Sequence, residues 1–171
     1  MLGLKRKGKN IAAPLGHGMV ISVNEDTGLT RGSEYGRYDK DNKGIARRVS
    51  VPNFKMKDPG NPTQEELDTY AEELNRRYGH SGGITHIIYV KGADEEKMNK
   101  LMESAETNNR ENGYYVNHDY RILDHNCGTY GCDLLRKALP WYSINKLGTY
   151  TWGTPSSLRR QFFGKSAEYK Q

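Results

Sequence analysis

The sequence predicts one α+β domain, with an antiparallel sheet near the N-terminus and helices along the rest of the chain. Runs rich in β-branched residues, separated by turn-forming residues, occupy positions 19–51, and segments with apolar residues at helical spacing follow them. The length of 171 residues is typical of one domain, and 35% apolar residues are enough for a compact core. We therefore expect strands first and helices later around one core.

Three antiparallel strands are expected to open the domain. The run Met19–Val23 is β-branched, and Asn24–Gly28 is rich in turn formers, which predicts a hairpin whose second strand extends from Thr30 to Tyr38. Another turn cluster over 39–44 precedes a third predicted strand over 45–51, which ends before a proline.

Helices are expected in the second half of the domain. Thr63 and Glu66 form the Ser/Thr-x-x-Glu pattern of a capping box, and apolar residues at helical spacing follow. A proline at position 140 and a glycine at position 79 mark two helix ends. The predicted helices cover residues 63–78, 94–108 and 127–139, and the apolar run 84–90 is a candidate for one further strand.

Hydropathy argues against a membrane protein. The mean hydropathy is −0.91, and no apolar run approaches the ~20 residues that cross a bilayer. The first residues are basic and then polar, without the apolar stretch of a secretory signal. If the protein leaves its cell, we expect it to use another route.

The net charge of +5 is concentrated at the two ends of the chain. Residues 1–10 carry four basic residues and no acidic one, and residues 159–171 carry four basic and one acidic, which leaves −2 for residues 11–158. A nucleic-acid-binding protein usually places basic residues across a folded face, so nucleic acid is not an expected partner. The expected organisation is a flexible basic tail at 1–13, one folded domain at 14–158 and a basic tail at 159–171.

Two cysteines, Cys127 and Cys132, are too few for a disulfide framework, and their spacing does not match a structural zinc site. On one helix, residues five positions apart point to different faces, which disfavours a disulfide between them. We expect at least one free thiol, and no metal or organic cofactor.

Cys127 is the candidate nucleophile. It follows the polar residues Asp124–Asn126 at the predicted start of a helix, where unpaired N–H groups and the helix dipole lower the pKa of a thiol. An N-cap at Asn126 and the small Gly128 are expected to leave N–H groups near Cys127 available to an oxyanion. The alternative is a buried structural cysteine, which fits Cys132, close to two leucines, better than Cys127.

A catalytic thiol needs a base, and His17 is the leading candidate. It lies between Gly16 and Gly18 at the head of the first strand, where glycine permits close approach of another segment. His125 is a rival base, or a supporting residue, because it is two positions from Cys127. The weaker candidates are His80, His86 and His118. Any one of these histidines, taken alone, also fits a structural or solvated role.

Glu34 is the candidate third residue of the site. If the turn at 24–28 pairs the first two strands, Glu34 lies beside His17 and accepts its second ring N–H, which fixes the tautomer. The alternative is a solvent-facing strand carboxylate, which fits the spacing equally well.

The order of these short motifs resembles that of a known enzyme superfamily. Gly16–Ile21, Ser33–Arg37 and Asn126–Tyr130 occur in the order of the circularly permuted, NlpC-type branch of the papain-like cysteine amidases. Thr154–Leu158 is similar to an element that follows the cysteine helix in some members. The same motifs also resemble toxin domains of bacterial polymorphic and type VI secretion effectors. The resemblance covers residues 14–158, although the two helices inserted before the cysteine are absent from the shortest members.

The resemblance implies a permuted papain-like fold, in which an antiparallel sheet packs against the helix that starts at Cys127, and a triad of Cys127, His17 and Glu34. It implies a cysteine amidase or endopeptidase that acts on cell-wall peptides as an antibacterial effector toxin. Such a protein would be cytoplasmic before delivery, would act in the periplasm of a target bacterium, and would need a secretion carrier and an immunity protein as partners.

Two other classes of function remain open at this point. The same triad supports an acyltransferase or thioesterase, or a protease or deamidase of cytosolic proteins. A binding module without enzymatic activity is the other class.

Overall fold

Five strands and three helices lie in the part of the chain that the computed structural model describes, namely residues 3–6, 9–12, 17–38, 43–79, 85, 87–107, 120–121 and 124–140. The strands are β1 (Gly3–Arg6), β2 (Lys9–Ala12), β3 (Met19–Val23), β4 (Thr30–Arg37) and β5 (Gly44–Val49), and the helices are α1 (Gln64–Tyr78), α2 (Glu95–Thr107) and α3 (Cys127–Ala138). The predicted α+β class is confirmed. The weaker histidine candidates His80, His86 and His118, the Thr154–Leu158 element and the predicted tail at 159–171 lie outside the described residues.

The predicted three-stranded antiparallel sheet is confirmed, with β4 in the centre between β3 and β5. The β3–β4 turn begins at Asn24, whose Oδ1 accepts the N–H of Thr27, and ends at Gly28, which has a φ of +71°. A Cβ at Gly28 would lie 2.9 Å from a side-chain carbon of Lys55, so both the backbone angle and the space favour glycine. This turn sets the register of the two strands.

β1 and β2 pair with each other as a separate antiparallel hairpin, in which Gly3 is opposite Ala12. The hairpin lies within residues 1–13, where a flexible basic tail is expected from the sequence. The domain boundaries at 13 and 158 stay predictions.

The central sheet has an apolar cluster on each face, because successive residues of a strand point to opposite sides. Val20 of β3 packs on the first cluster, and its neighbour Ile21 packs on the second. The buried residues of the first cluster come from β4, β5, α2 and α3: Tyr35, Ala46, Met98, Met102, Tyr130, Leu134 and Ala138. Those of the second come from α1 and the chain after β5: Phe54, Tyr70 and Leu74. The first cluster holds α3 against the sheet.

The predicted helices are confirmed, with small shifts at their ends. At the start of α1, Thr63 Oγ1 accepts the N–H of Glu66, and the Glu66 carboxylate accepts the N–H of Thr63. This is the predicted capping box. None of the described helices is long and apolar enough to cross a membrane.

The strand predicted over 84–90 is not found in its described residues, 85 and 87–90. This segment is held by side chains instead. Tyr89 donates a hydrogen bond to Glu25 (2.6 Å), and the hydroxyl of Thr85 donates to the side chain of Asn75 (3.1 Å). Ile87 packs on the second cluster, while Ile88 is exposed. An apolar run can therefore cover a core without joining a sheet.

A substitution at Met102 tests the packing of the first apolar cluster. The side chain is fully buried, so Met102→Ala should leave a cavity and lower the free energy of unfolding by about 2–5 kcal/mol. The exposed neighbour Glu103 provides the control, since Glu103→Ala should change it by less than about 0.5 kcal/mol. Urea unfolding measures both variants, and equal values would contradict this placement of Met102.

Candidate active site

Cys127 is the first residue of α3, and only 2% of its surface is exposed. The helix begins there because Asn126 caps it: its Oδ1 accepts the N–H groups of Gly128 (2.8 Å) and Thr129 (3.2 Å). Thr129 Oγ1 in turn accepts the N–H of Asn126 (2.9 Å). The Gly128 N–H is thus engaged by the cap, and the binding of an oxyanion by N–H groups near Cys127 stays a prediction.

The sulfur of Cys127 is surrounded by groups that favour a thiolate. The Gly18 N–H donates to Sγ (3.2 Å), the Tyr120 hydroxyl lies 3.8 Å from Sγ, and His17 hydrogen bonds to the thiol. Burial acts to raise the pKa of Cys127, but the hydrogen bond and charge of His17 and the Gly18 N–H outweigh it and lower the pKa. The thiol therefore has the electrostatic surroundings of a nucleophile.

His17 lies between the thiol and a carboxylate. Its Nε2 is 2.6 Å from Oε2 of Glu34, which leaves Nδ1 as the ring nitrogen available to Cys127. The hydrogen bond with Cys127 raises the pKa of His17 to about 9, against burial, and the contact with Glu34 adds to the effect. The side chain is 44% exposed, so an incoming substrate can reach it.

Glu34 is buried in the central strand, with 8% of its side chain exposed. This rules out the solvent-facing alternative, and the predicted position beside His17 is the observed one. The second oxygen, Oε1, accepts a hydrogen bond from Arg47 Nε (2.5 Å). Burial acts to raise the pKa of Glu34, but the hydrogen bonds with His17, Arg47 and Tyr38 outweigh it and lower the pKa. Glu34 is consequently a carboxylate at neutral pH.

His125, the rival base, and Cys132, the second cysteine, have different surroundings from His17 and Cys127. The ring of His125 is buried and packs edge-on against Tyr35, with 5.4 Å between centroids. Its backbone pairs with that of Arg121. Cys132 is buried, and burial raises its pKa to about 11. Both cysteines are free, which satisfies the expectation of at least one free thiol.

Several neighbours of the site were not predicted from the sequence: Gly18 through its N–H, Tyr38, Arg47 and Tyr120. Arg47 lies directly opposite Glu34 in the β4–β5 register, so a register derived from the second turn would have identified it. Tyr120 carries no such signal, because its position depends on how the chain before α3 packs. Within the described ranges, no group of three or more His, Cys, Asp or Glu residues is arranged to hold a metal ion.

Comparisons with known proteins agree on one group. A family model described as type VI secretion system effector TseH-like matches residues 1–144. The crystal structure of a type VI secretion system effector, TseH, is similar to this chain at 27% identity with a TM-score of 0.68. The similarity covers 91% of this chain and 81% of that one. No match was found among curated proteins.

The two thiols provide a test of the site's electrostatics. Iodoacetamide should modify Cys127 well before Cys132 at pH 7, because His17 and the Gly18 N–H stabilise one thiolate while burial raises the pKa of the other thiol. His17→Ala should move the alkylation of Cys127 to higher pH. Peptide mass mapping over time measures both rates. Equal rates at the two cysteines, or faster labelling of Cys132, would contradict this description.

Proposed function

The chain belongs to the TseH-like family of type VI secretion system effectors, and we propose that it acts as a cysteine hydrolase on an amide bond in bacterial cell-wall peptides. One observation carries the proposal. A histidine has a carboxylate on one ring nitrogen and, as its other partner, a cysteine thiol at the start of a helix. A thiolate paired with an imidazolium in this way is suited to attack a carbonyl carbon and then to protonate the leaving group.

The proposed reaction begins with attack of the Cys127 thiolate on the carbonyl carbon of the amide. The C–N bond then breaks, and His17 gives its proton to the leaving nitrogen, which departs as an amine. His17, now neutral, takes a proton from water, and the hydroxide attacks the thioester. The acid product leaves and Cys127 returns to the thiolate. Glu34 keeps the His17 ring in one orientation throughout.

The oxyanion of each tetrahedral intermediate needs hydrogen-bond donors. We assign this role to the backbone N–H of Cys127, at the start of α3, and to the hydroxyl of Tyr120, near the sulfur. Asn126 supports the arrangement as the helix cap, because its Oδ1 accepts two N–H groups. His125 is proposed to support the site only by packing against Tyr35.

The substrate proposal joins the chemistry to the family. Type VI effectors are exported proteins, and an enzyme that cuts amide bonds finds accessible targets in the peptides of a rival cell's wall. We propose the periplasm as the place of action, a component of the secretion apparatus as carrier and an immunity protein as the producer's protection. The permuted papain-like architecture is part of this proposal, since Cys127 lies late in the chain and His17 early.

Purified cell-wall sacculi test the proposal directly. The wild type should release new peptide fragments with a mass gain of one water per cleaved amide, and Cys127→Ala and His17→Ala should release none. Cys132→Ala, which removes the other free thiol, is the matched control and should retain activity. Mass spectrometry of the soluble products identifies the bond. Intact sacculi together with turnover of a lipid thioester or of a protein substrate would instead support one of the alternative activities.

Glu34→Gln tests the third residue. The change keeps size and an acceptor oxygen but removes the charge that stabilises the imidazolium, so kcat should fall by about 10²-fold or more with little change in KM. Glu25→Gln is the control, because Glu25 lies in the β3–β4 turn and accepts a hydrogen bond from Tyr89, away from the proposed chemistry. Equal kcat values in the two variants would remove Glu34 from the triad.

A further inference from the structure

Arg47 is the cation nearest the buried carboxylate of the site. It lies on β5 directly opposite Glu34, and its Nε donates to Oε1 of Glu34 (2.5 Å). The guanidinium also lies over the ring of Tyr38, 3.6 Å from the centroid. The side chain of Arg47 is 55% exposed, so the fold does not require it to fill the core. Arg47 contacts Glu34 and Tyr38, and Tyr38 itself hydrogen bonds to Glu34.

Oε1 of Glu34, the oxygen that does not contact His17, needs a donor such as Arg47. One oxygen is occupied by His17, and the other is held in a side chain that is only 8% exposed. Loss of the charged donor from a buried carboxylate is costly even though the hydrogen bond with Tyr38 remains, so it would favour protonation or rotation toward solvent. Either change would weaken the contact with His17. A guanidinium stacked on an aromatic ring presents its Nε–H in a fixed direction, which a lysine ammonium does not do.

The charges around Glu34 come from several elements. His17 faces it from the start of β3, Tyr38 from the end of β4 and Arg47 from β5. Beyond His17 lie Cys127 of α3 and the Tyr120 hydroxyl. With the thiolate and imidazolium formed, the four charged groups sum to zero. Without Arg47 the group would carry one negative charge, which opposes formation of the thiolate.

We propose that Arg47 is a positioning residue: it fixes the carboxylate of Glu34, and through Glu34 it holds His17 where the imidazolium stabilises the Cys127 thiolate. The catalytic meaning of this arrangement rests on the proposed function. The coupling of Arg47 to the Cys127 thiolate does not rest on the proposed function, because it is a property of the folded protein without substrate.

The test measures the rate of Cys127 alkylation by iodoacetamide as a function of pH. In Arg47→Gln the midpoint should move upward by about half a pH unit, equivalent to about threefold less thiolate on the acidic side of the midpoint. Arg48→Gln is the matched control, since Arg48 is the exposed neighbour on the same strand and lies opposite Ser33. Its midpoint should remain that of the wild type. Arg47→Lys should recover only part of the shift, because it restores the charge but not the directed Nε–H.

Arg47→Gln is also measured in a Glu34→Gln variant, to separate an effect of Arg47 that passes through the Glu34 carboxylate from a general effect of its charge on Cys127. If Arg47 acts through the carboxylate, adding Arg47→Gln to Glu34→Gln should leave the midpoint unchanged. An upward shift of equal size in both backgrounds would overturn the proposal, as would an unshifted midpoint in Arg47→Gln. Thermal unfolding verifies that each variant is folded, with Arg47→Lys as the milder change. Sacculus cleavage is scored separately, so an inactive wild type with the expected alkylation shifts would refute the proposed function and keep this inference.

Discussion

The contact between His17 and Glu34 depends on the register of the central sheet. Glu34 is paired with Met19 of β3 on one side and with Arg47 of β5 on the other. His17 precedes Met19 by two positions, so the Glu34 carboxylate lies close to both His17 and the Arg47 guanidinium. A slip of one residue would send the Glu34 side chain to the opposite face of the sheet, since side chains alternate along a strand. The β3–β4 turn, with its glycine at positive φ, therefore fixes the geometry of the site as well as the fold.

Burial and charge are balanced within this site. Cys127 and Glu34 are both largely withdrawn from water, which by itself would favour their neutral forms. Each is offset by a cation, His17 for the thiolate and Arg47 for the carboxylate, and His17 also contacts the carboxylate. The histidine can be cationic at neutral pH because it has a negative partner on both sides. The lowered pKa values of Cys127 and Glu34 thus both depend on the neighbouring cations rather than on contact with water.

Local patterns predicted most of the architecture. β-branched runs gave the three central strands, and the capping residues at Thr63 and Asn126 gave the starts of two helices, including the position of Cys127. The strand predicted for the apolar run 84–90 was wrong in its described part, because hydropathy does not distinguish a strand from a segment held by side chains. Arg47 and Tyr120 were missed for another reason: their roles depend on register and packing between distant segments.

Cys127, the proposed nucleophile, also depends on a distant part of the chain. Asn126 occupies the N–H groups of Gly128 and Thr129, so the donor to the sulfur comes from Gly18, 109 positions away in sequence. Gly18 directly follows His17, and the same short segment thereby supplies both the imidazolium and the N–H donor to Cys127. The helix start positions the thiol, but the groups that lower its pKa come from the head of β3. Since neither segment carries both the thiol and its stabilising groups, we expect the pKa of Cys127 to be lowered only when β3, β4 and α3 are assembled.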